Sequence, residues 1–192
     1  GASLRGSRRT GAALRRARGP EGVTDYGYSP ELAAPVLGLG RVRFRRWWIA
    51  IAGLVIRLQA RTFRAPAGVV FRRVHFPGYQ GARLPAWIVE PAELEDPAPC
   101  ILYFHGGAFI FPVHTMMLRN AARYARELGA RVIIPEYRLA PRHPFPVPVE
   151  DCYAALAWAA RESASLDLDR NRFLVLGESA GGCIAAAVTL MA

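Results

Sequence analysis

The sequence predicts an α/β fold in which helices flank a mostly parallel sheet, preceded by a basic helical segment. Three observations carry this expectation. From residue 69 onward, short apolar runs alternate with segments of helical spacing, an order that right-handed crossovers convert into a parallel sheet. Cys100-Ile101-Leu102-Tyr103-Phe104 is apolar throughout, as a strand covered on both faces must be. Finally, Phe173-Leu174-Val175-Leu176 runs into Gly177-Glu178-Ser179-Ala180-Gly181-Gly182, from which a helix of small residues departs.

With 192 residues and 52% hydrophobic content, the chain can build one domain with a substantial core. Its formal charge is +10, and every cation is arginine. Residues 1–75 hold 15 Arg against three acids, whereas residues 76–192 hold 10 Arg against 12. A basic balance suggests an anionic partner, but here it belongs only to the leading segment, and a nucleic-acid enzyme is not expected. Residues 1–35 read as a basic tail whose first 20 residues have no acid and too little apolar surface to order themselves. An Arg-rich, acid-poor organelle transit peptide has a similar composition.

Residues 36–68 read as a helical N-terminal cap segment. Arg41, Arg43, Arg45 and Arg46 precede ten uninterrupted apolar residues, Trp47 to Ile56, too few for a membrane span of about 20. No small-x-small cleavage site follows, which argues against a secretory signal. Membrane-surface contact through residues 41–60 is the alternative; a helix packed over the core is the preferred reading.

Residues 69–192 form the main domain. Val69 to Phe76 and Leu84 to Val89 read as strands joined by a turn around Pro77-Gly78-Tyr79-Gln80-Gly81. Cys100 to Phe104 is the next strand. Residues 115–128 place Met117, Ala121, Tyr124 and Leu128 at helical spacing before the stop at Gly129. Arg131 to Tyr137 is a strand, 149–161 a helix, and Phe173 to Leu176 the strand before the serine. Cys100, Cys152 and Cys183 cannot all pair and suit no metal site. They read as buried free thiols in a reducing, cytoplasmic compartment.

Gly-x-Ser-x-Gly between strand and helix is the sequence form of a nucleophile elbow, where a strained turn presents the hydroxyl above the sheet. Ser179 is therefore the candidate nucleophile. By itself the pattern is weak. It gains weight from His105-Gly106-Gly107-Ala108-Phe109, which directly follows the doubly covered strand. Acyl transfer develops an oxyanion, and backbone N–H groups of a Gly-rich loop can hold it. The donors would be Gly106 and Gly107, joined by Ala180 after the nucleophile. No metal or cofactor is called for.

The chain resembles the hormone-sensitive-lipase-like branch of the α/β-hydrolases, the bacterial esterase and lipase group. His105 to Phe109 is similar to that group's oxyanion motif, and Tyr137-Arg138-Leu139-Ala140-Pro141 to its characteristic stretch. Glu150-Asp151 with Ala154-Ala155-Leu156 and Trp158 resembles the following helix, and Gly177 to Gly182 the elbow. The resemblance spans about residues 70–192. It implies an α/β-hydrolase sheet, of which this chain would be the N-terminal part, and a carboxylic ester hydrolase acting on a small-molecule ester of short or medium acyl chain. It also implies that His105 braces the oxyanion loop, His143 sits in a structural turn, Glu178 supports the elbow, and Asp151 makes a structural pairing. Ala108 and Glu136 depart from the group's usual Gly and Asp.

A serine needs a base and an orienting acid. In this group both lie downstream of the serine, yet no His, Asp or Glu follows Ser179. The expectation is a fragment cut after the elbow, weak or inactive in isolation. Two alternatives remain: a non-catalytic small-molecule binding protein of this fold, or a peptidase of the same fold.

Overall fold

The computed structural model describes residues 46–192. The tail expected over residues 1–35 and the start of the cap segment expected over 36–68 lie outside the described residues. The elements are α1 (Arg46–Arg61), β1 (Val69–Pro77), a 3-10 turn (Tyr79–Gly81), β2 (Arg83–Pro91), β3 (Ala98–Phe104) and α2 (Thr115–Leu128). They continue with β4 (Arg131–Pro135), α3 (Val147–Arg161), β5 (Leu168–Gly177) and α4 (Ala180–Met191).

The five strands form one mixed sheet in the order β1-β2-β4-β3-β5. β1 pairs antiparallel with β2, and β2 antiparallel with β4. β3 lies parallel to both β4 and β5. Four strands thus point one way, and β2 alone runs against them. Two crossovers produce the parallel part: α2 leads from β3 to β4, and α3 leads from β4 past β3 to β5.

Both faces of the sheet are covered, and the period-2 alternation of a strand decides which side chain goes where. On β3, Cys100, Leu102 and Phe104 join Ile88 and Ile133 against Ala155 and Ala159 of α3 and Ile184 and Val188 of α4. Ile101 and Tyr103 turn the other way, with Val89, Val132 and Ile134, against Met117, Leu118, Ala121 and Ala125 of α2. That double burial is why β3 and β4 contain no alternation of polar residues. α2 ends where Gly129 takes the left-handed conformation, φ 54°, which glycine adopts at little cost.

Three details depart from the sequence reading. β4 ends at Pro135 rather than Tyr137, because Tyr137 leaves the sheet to pack in the core beside His105. β5 begins five residues before Phe173, since Leu168 pairs with Ala98 across a register shift. Cys183 is exposed rather than buried, on the outer side of α4, while Cys100 and Cys152 are buried; all three are free.

The cap helix also packs less than expected. α1 meets the core through Ala60, and Gly53 passes over Pro112. Trp47, Trp48, Ile51, Leu54, Val55 and Leu58 remain 46–58% exposed. They form one stripe of the helix, opposite the less exposed stripe of Ile49, Ala52, Gly53, Ile56 and Ala60, so the supporting surface covers one side and leaves an apolar one bare. No helix among the described residues is long and apolar enough to cross a membrane.

Candidate active site

Ser179 stands between the last residue of β5 and the first turn of α4, with φ 53° and ψ −119°. A non-glycine residue rarely takes a positive φ, and such strain persists only where the surroundings enforce it. The enforcement is visible in the adjoining glycines. A Cβ on Gly177 would collide with the backbone of Gly181 and Gly182, and one on Gly181 with the carbonyls of Phe104 and His105. Strand, turn and helix therefore pass at backbone contact, and the serine at the apex is left exposed.

The loop after β3 comes to this apex. A Cβ on Gly106 would lie 3.3 Å from Ser179 Cβ and 2.9 Å from the Glu178 carbonyl oxygen. Gly107, at φ 114°, turns the chain so that its carbonyl accepts hydrogen bonds from Ile110 and Phe111 N–H, both at 2.9 Å. Ala108 and Phe109 follow at φ 52° and 62°. Among the described residues, the N–H groups of Gly106, Gly107 and Ala180 donate to no acceptor. The Ala180 amide lies in the unsatisfied first turn of α4, at the positive end of its dipole. Three unspent donors beside an exposed serine form a place where negative charge is stabilised.

His105 is brought next to this loop but is not aimed at the serine. Its ring stacks on Tyr137 at a centroid distance of 4.2 Å and an interplanar angle of 9°. Its Nδ1 lies 2.7 Å from the Gly106 carbonyl oxygen, and Tyr137 Oη donates to the His105 carbonyl at 2.6 Å. Burial pushes the imidazole pKa down to about 4, so the ring is neutral at pH 7. Both ends of His105 are thus tied to backbone and aromatic neighbours that fix the loop's departure from β3.

Glu178 turns beneath the elbow, where its Oε1 accepts from Tyr103 Oη and, at 3.1 Å, from Asn120 Nδ2 of α2. Burial, reinforced by that carboxylate, raises the Tyr103 pKa, so its hydroxyl stays a donor. Asp151 sits elsewhere, below the turn after β4, and is fully buried. Its oxygens accept from the N–H of Tyr79 and Arg138 and from the Arg138 guanidinium, at 2.8–3.1 Å. The structure therefore gathers Ser179, Gly106, Gly107, Ala180, His105 and Glu178 around one loop crossing and leaves Asp151 outside it. Tyr103, Asn120 and Tyr137, which hold that crossing, carry no motif that would single out the first two; Tyr137 lies in the quoted Tyr137–Pro141 stretch. Among the described residues no group of three or more His, Cys, Asp or Glu could hold a metal.

A family model described as the alpha/beta hydrolase fold matches residues 101–192. Those residues contain both the loop at Gly106 and Gly107 and the turn at Ser179. The chain has the α/β-hydrolase fold. A second model, for acetyl xylan esterase, matches residues 51–125. Esterase LipI of Mycobacterium tuberculosis is 36% identical over 123 residues, covering 64% of this chain and 35% of that protein. The hormone-sensitive lipase of Homo sapiens is 38% identical over 92 residues, covering 48% and 9%. Among solved structures, a bacterial heroin esterase superposes with a TM-score of 0.70 at 36% identity, covering 85% of this chain and 52% of that one. The carboxylesterase EstE1 gives 0.64 at 34%, covering 76% and 49%. The chain thus spans about a third of its mycobacterial relatives and about half of the solved esterases.

Proposed function

We propose that the protein hydrolyses carboxylic esters through an acyl-Ser179 intermediate. One observation carries the reading: an exposed serine, strained to positive φ, adjoins a loop and a helix start whose Gly106, Gly107 and Ala180 N–H groups donate to no acceptor among the described residues. Attack of Ser179 Oγ on an ester carbonyl forms the C–O bond and moves the carbonyl electrons onto oxygen. That oxyanion accepts from Gly106, Gly107 and Ala180. Its collapse expels the alcohol, which leaves with a proton, and water repeats the sequence to release the acid. Each such donor typically contributes about 3 kcal/mol of transition-state stabilisation. The names of the related esterases and lipases support the reaction class.

The proton of Ser179 must pass to a base. Among the described residues none hydrogen-bonds the hydroxyl, and His105 is committed to Gly106 and Tyr137. Slow acylation is therefore the expected behaviour of the 192-residue chain, with only the cradle and binding contributing. Incubation with p-nitrophenyl acetate and mass analysis of the peptide carrying Ser179 tests this. The reading expects one acetyl group on that residue, slow release of p-nitrophenolate, and loss of both in Ser179→Ala. An unmodified Ser179 with no release above the Ser179→Ala background overturns it.

A further inference from the structure

A second concave site lies behind the oxyanion loop. It is a cleft of about 740 Å³ between α1 and the loop that follows β4, within the size range of small-molecule pockets. Neither Ser179 nor Gly106, Gly107 or Ala180 lines it; His105 forms part of the partition. The cleft is therefore a compartment separate from the serine cradle.

Its charges are unbalanced. Five arginines line it against a single carboxylate, Glu136. Arg73 is committed to that carboxylate at 2.6 Å, with its guanidinium 4.5 Å above the Trp87 ring. Arg138 is committed to Asp151. Arg57 and Arg61, one turn apart on α1, and Arg142 on the loop opposite have no carboxylate partner among the described residues. Cations on two walls of one cleft repel each other, and an anion between them converts that repulsion into attraction. The rest of the lining is largely apolar: Ile49 and Leu54 from α1, and Ile110, Pro112, Val113 and Leu139 from the facing loops.

We propose that this cleft binds a small carboxylate bearing an apolar chain, with Arg57 or Arg61 and Arg142 clasping the carboxylate and the aliphatic walls covering the chain. The guanidinium fork matches a carboxylate with two parallel N–H···O bonds. The apolar walls add what inorganic anions cannot use. Such a ligand bridges α1 and the loop after β4. The site does not depend on the chemistry of Ser179.

Calorimetric titration of the Ser179→Ala chain with decanoate, below its micelle concentration, tests the proposal free of any hydrolysis. Saturable binding of one decanoate per chain is expected, tighter than decanol or inorganic phosphate by at least about tenfold. Arg57→Gln/Arg61→Gln/Arg142→Gln should lower the decanoate affinity by at least about tenfold and leave decanol binding unchanged. The same three positions changed to Lys keep the charge but lose the fork, so their decanoate affinity should fall between those of the parent and the Gln chain, and circular dichroism should show all three chains equally folded. Decanoate binding no tighter than decanol or phosphate overturns the proposal, as does an affinity unaltered by the triple Gln substitution. Should the Gln chain misfold, the single Arg142→Glu variant decides, since a reversed charge on the facing wall must abolish decanoate binding.

Discussion

Gly177 and Gly181 lie so close that the α-hydrogen of the first faces the carbonyl oxygen of the second, with no room for a side chain. One residue ends β5 and the other belongs to the first turn of α4. Their contact closes the elbow and holds Ser179 at φ 53°. The same crowding continues outward, because Gly181 rests on the Phe104 carbonyl at the end of β3. The orientation of the serine is therefore set by the packing of two strands and a helix rather than by the serine itself.

Gly177→Ala should be poorly tolerated. Its methyl group would meet backbone atoms, which cannot move aside as a flexible side chain would. A loss of at least about 3 kcal/mol is expected, at the upper end of overpacking costs. Urea unfolding followed by circular dichroism measures it; a midpoint equal to that of the parent chain would contradict the described crowding.

Ala108→Gly should do the opposite. Ala108 is exposed and held at φ 52°, a region where a Cβ costs about 1–2 kcal/mol. Glycine removes that strain but gives the unfolded chain more freedom, worth about 0.4–1 kcal/mol. The net expectation is a stabilisation of about 0.5–1 kcal/mol, read as a higher urea midpoint with unchanged slope. A lower midpoint would mean that the alanine methyl makes a contact of its own.

Asp151→Ala should cost about 3 kcal/mol, the lower bound for breaking a buried pair. It leaves the Arg138 guanidinium and the N–H groups of Tyr79 and Arg138 without their shared acceptor. Adding Arg138→Ala should then cost much less than it does in the parent chain. Additive losses in that double-mutant cycle, measured by thermal melts, would separate the two residues energetically.

Stability should also fall as the pH drops below about 6.5. Burial depresses the His105 pKa to about 4, so between these values the unfolded chain takes up a proton that the folded chain refuses. Above the ordinary histidine value neither state is protonated and the group contributes no slope. Across the whole window the loss amounts to roughly 3 kcal/mol. Urea melts between pH 7 and pH 5 read the first part before most carboxylates titrate. His105→Asn should flatten that limb; an unchanged slope would assign it to another group.

Much of the fold was legible because burial on both sides leaves a plain trace. Cys100 to Phe104 is apolar at every position, and α2 carries its core residues at helical spacing up to Gly129. β5 was harder: its first half, Leu168 to Arg172, is polar, and it joins the sheet by a register shift that no local pattern encodes. The exposure of α1 was likewise hidden, because Trp47 to Ile56 is apolar on every side and composition cannot say which side finds support. In the site, the glycines and Ser179 stood out through their spacing. Tyr103 and Asn120 did not, since a tyrosine in a strand and an asparagine in a helix are ordinary until the fold brings both to Glu178.

By itself the sequence determined which residues could form the elbow and the oxyanion loop, because only glycine tolerates backbone contact and that demand is written position by position. Tertiary structure decided what those residues face. It brought Gly106 of the loop after β3 against Ser179, turned His105 onto Tyr137, and gathered arginines from α1 and the loop after β4 into one cleft. Spacing along a chain is a local property, whereas the distance between residues 57 and 142 exists only once the strands between them have paired.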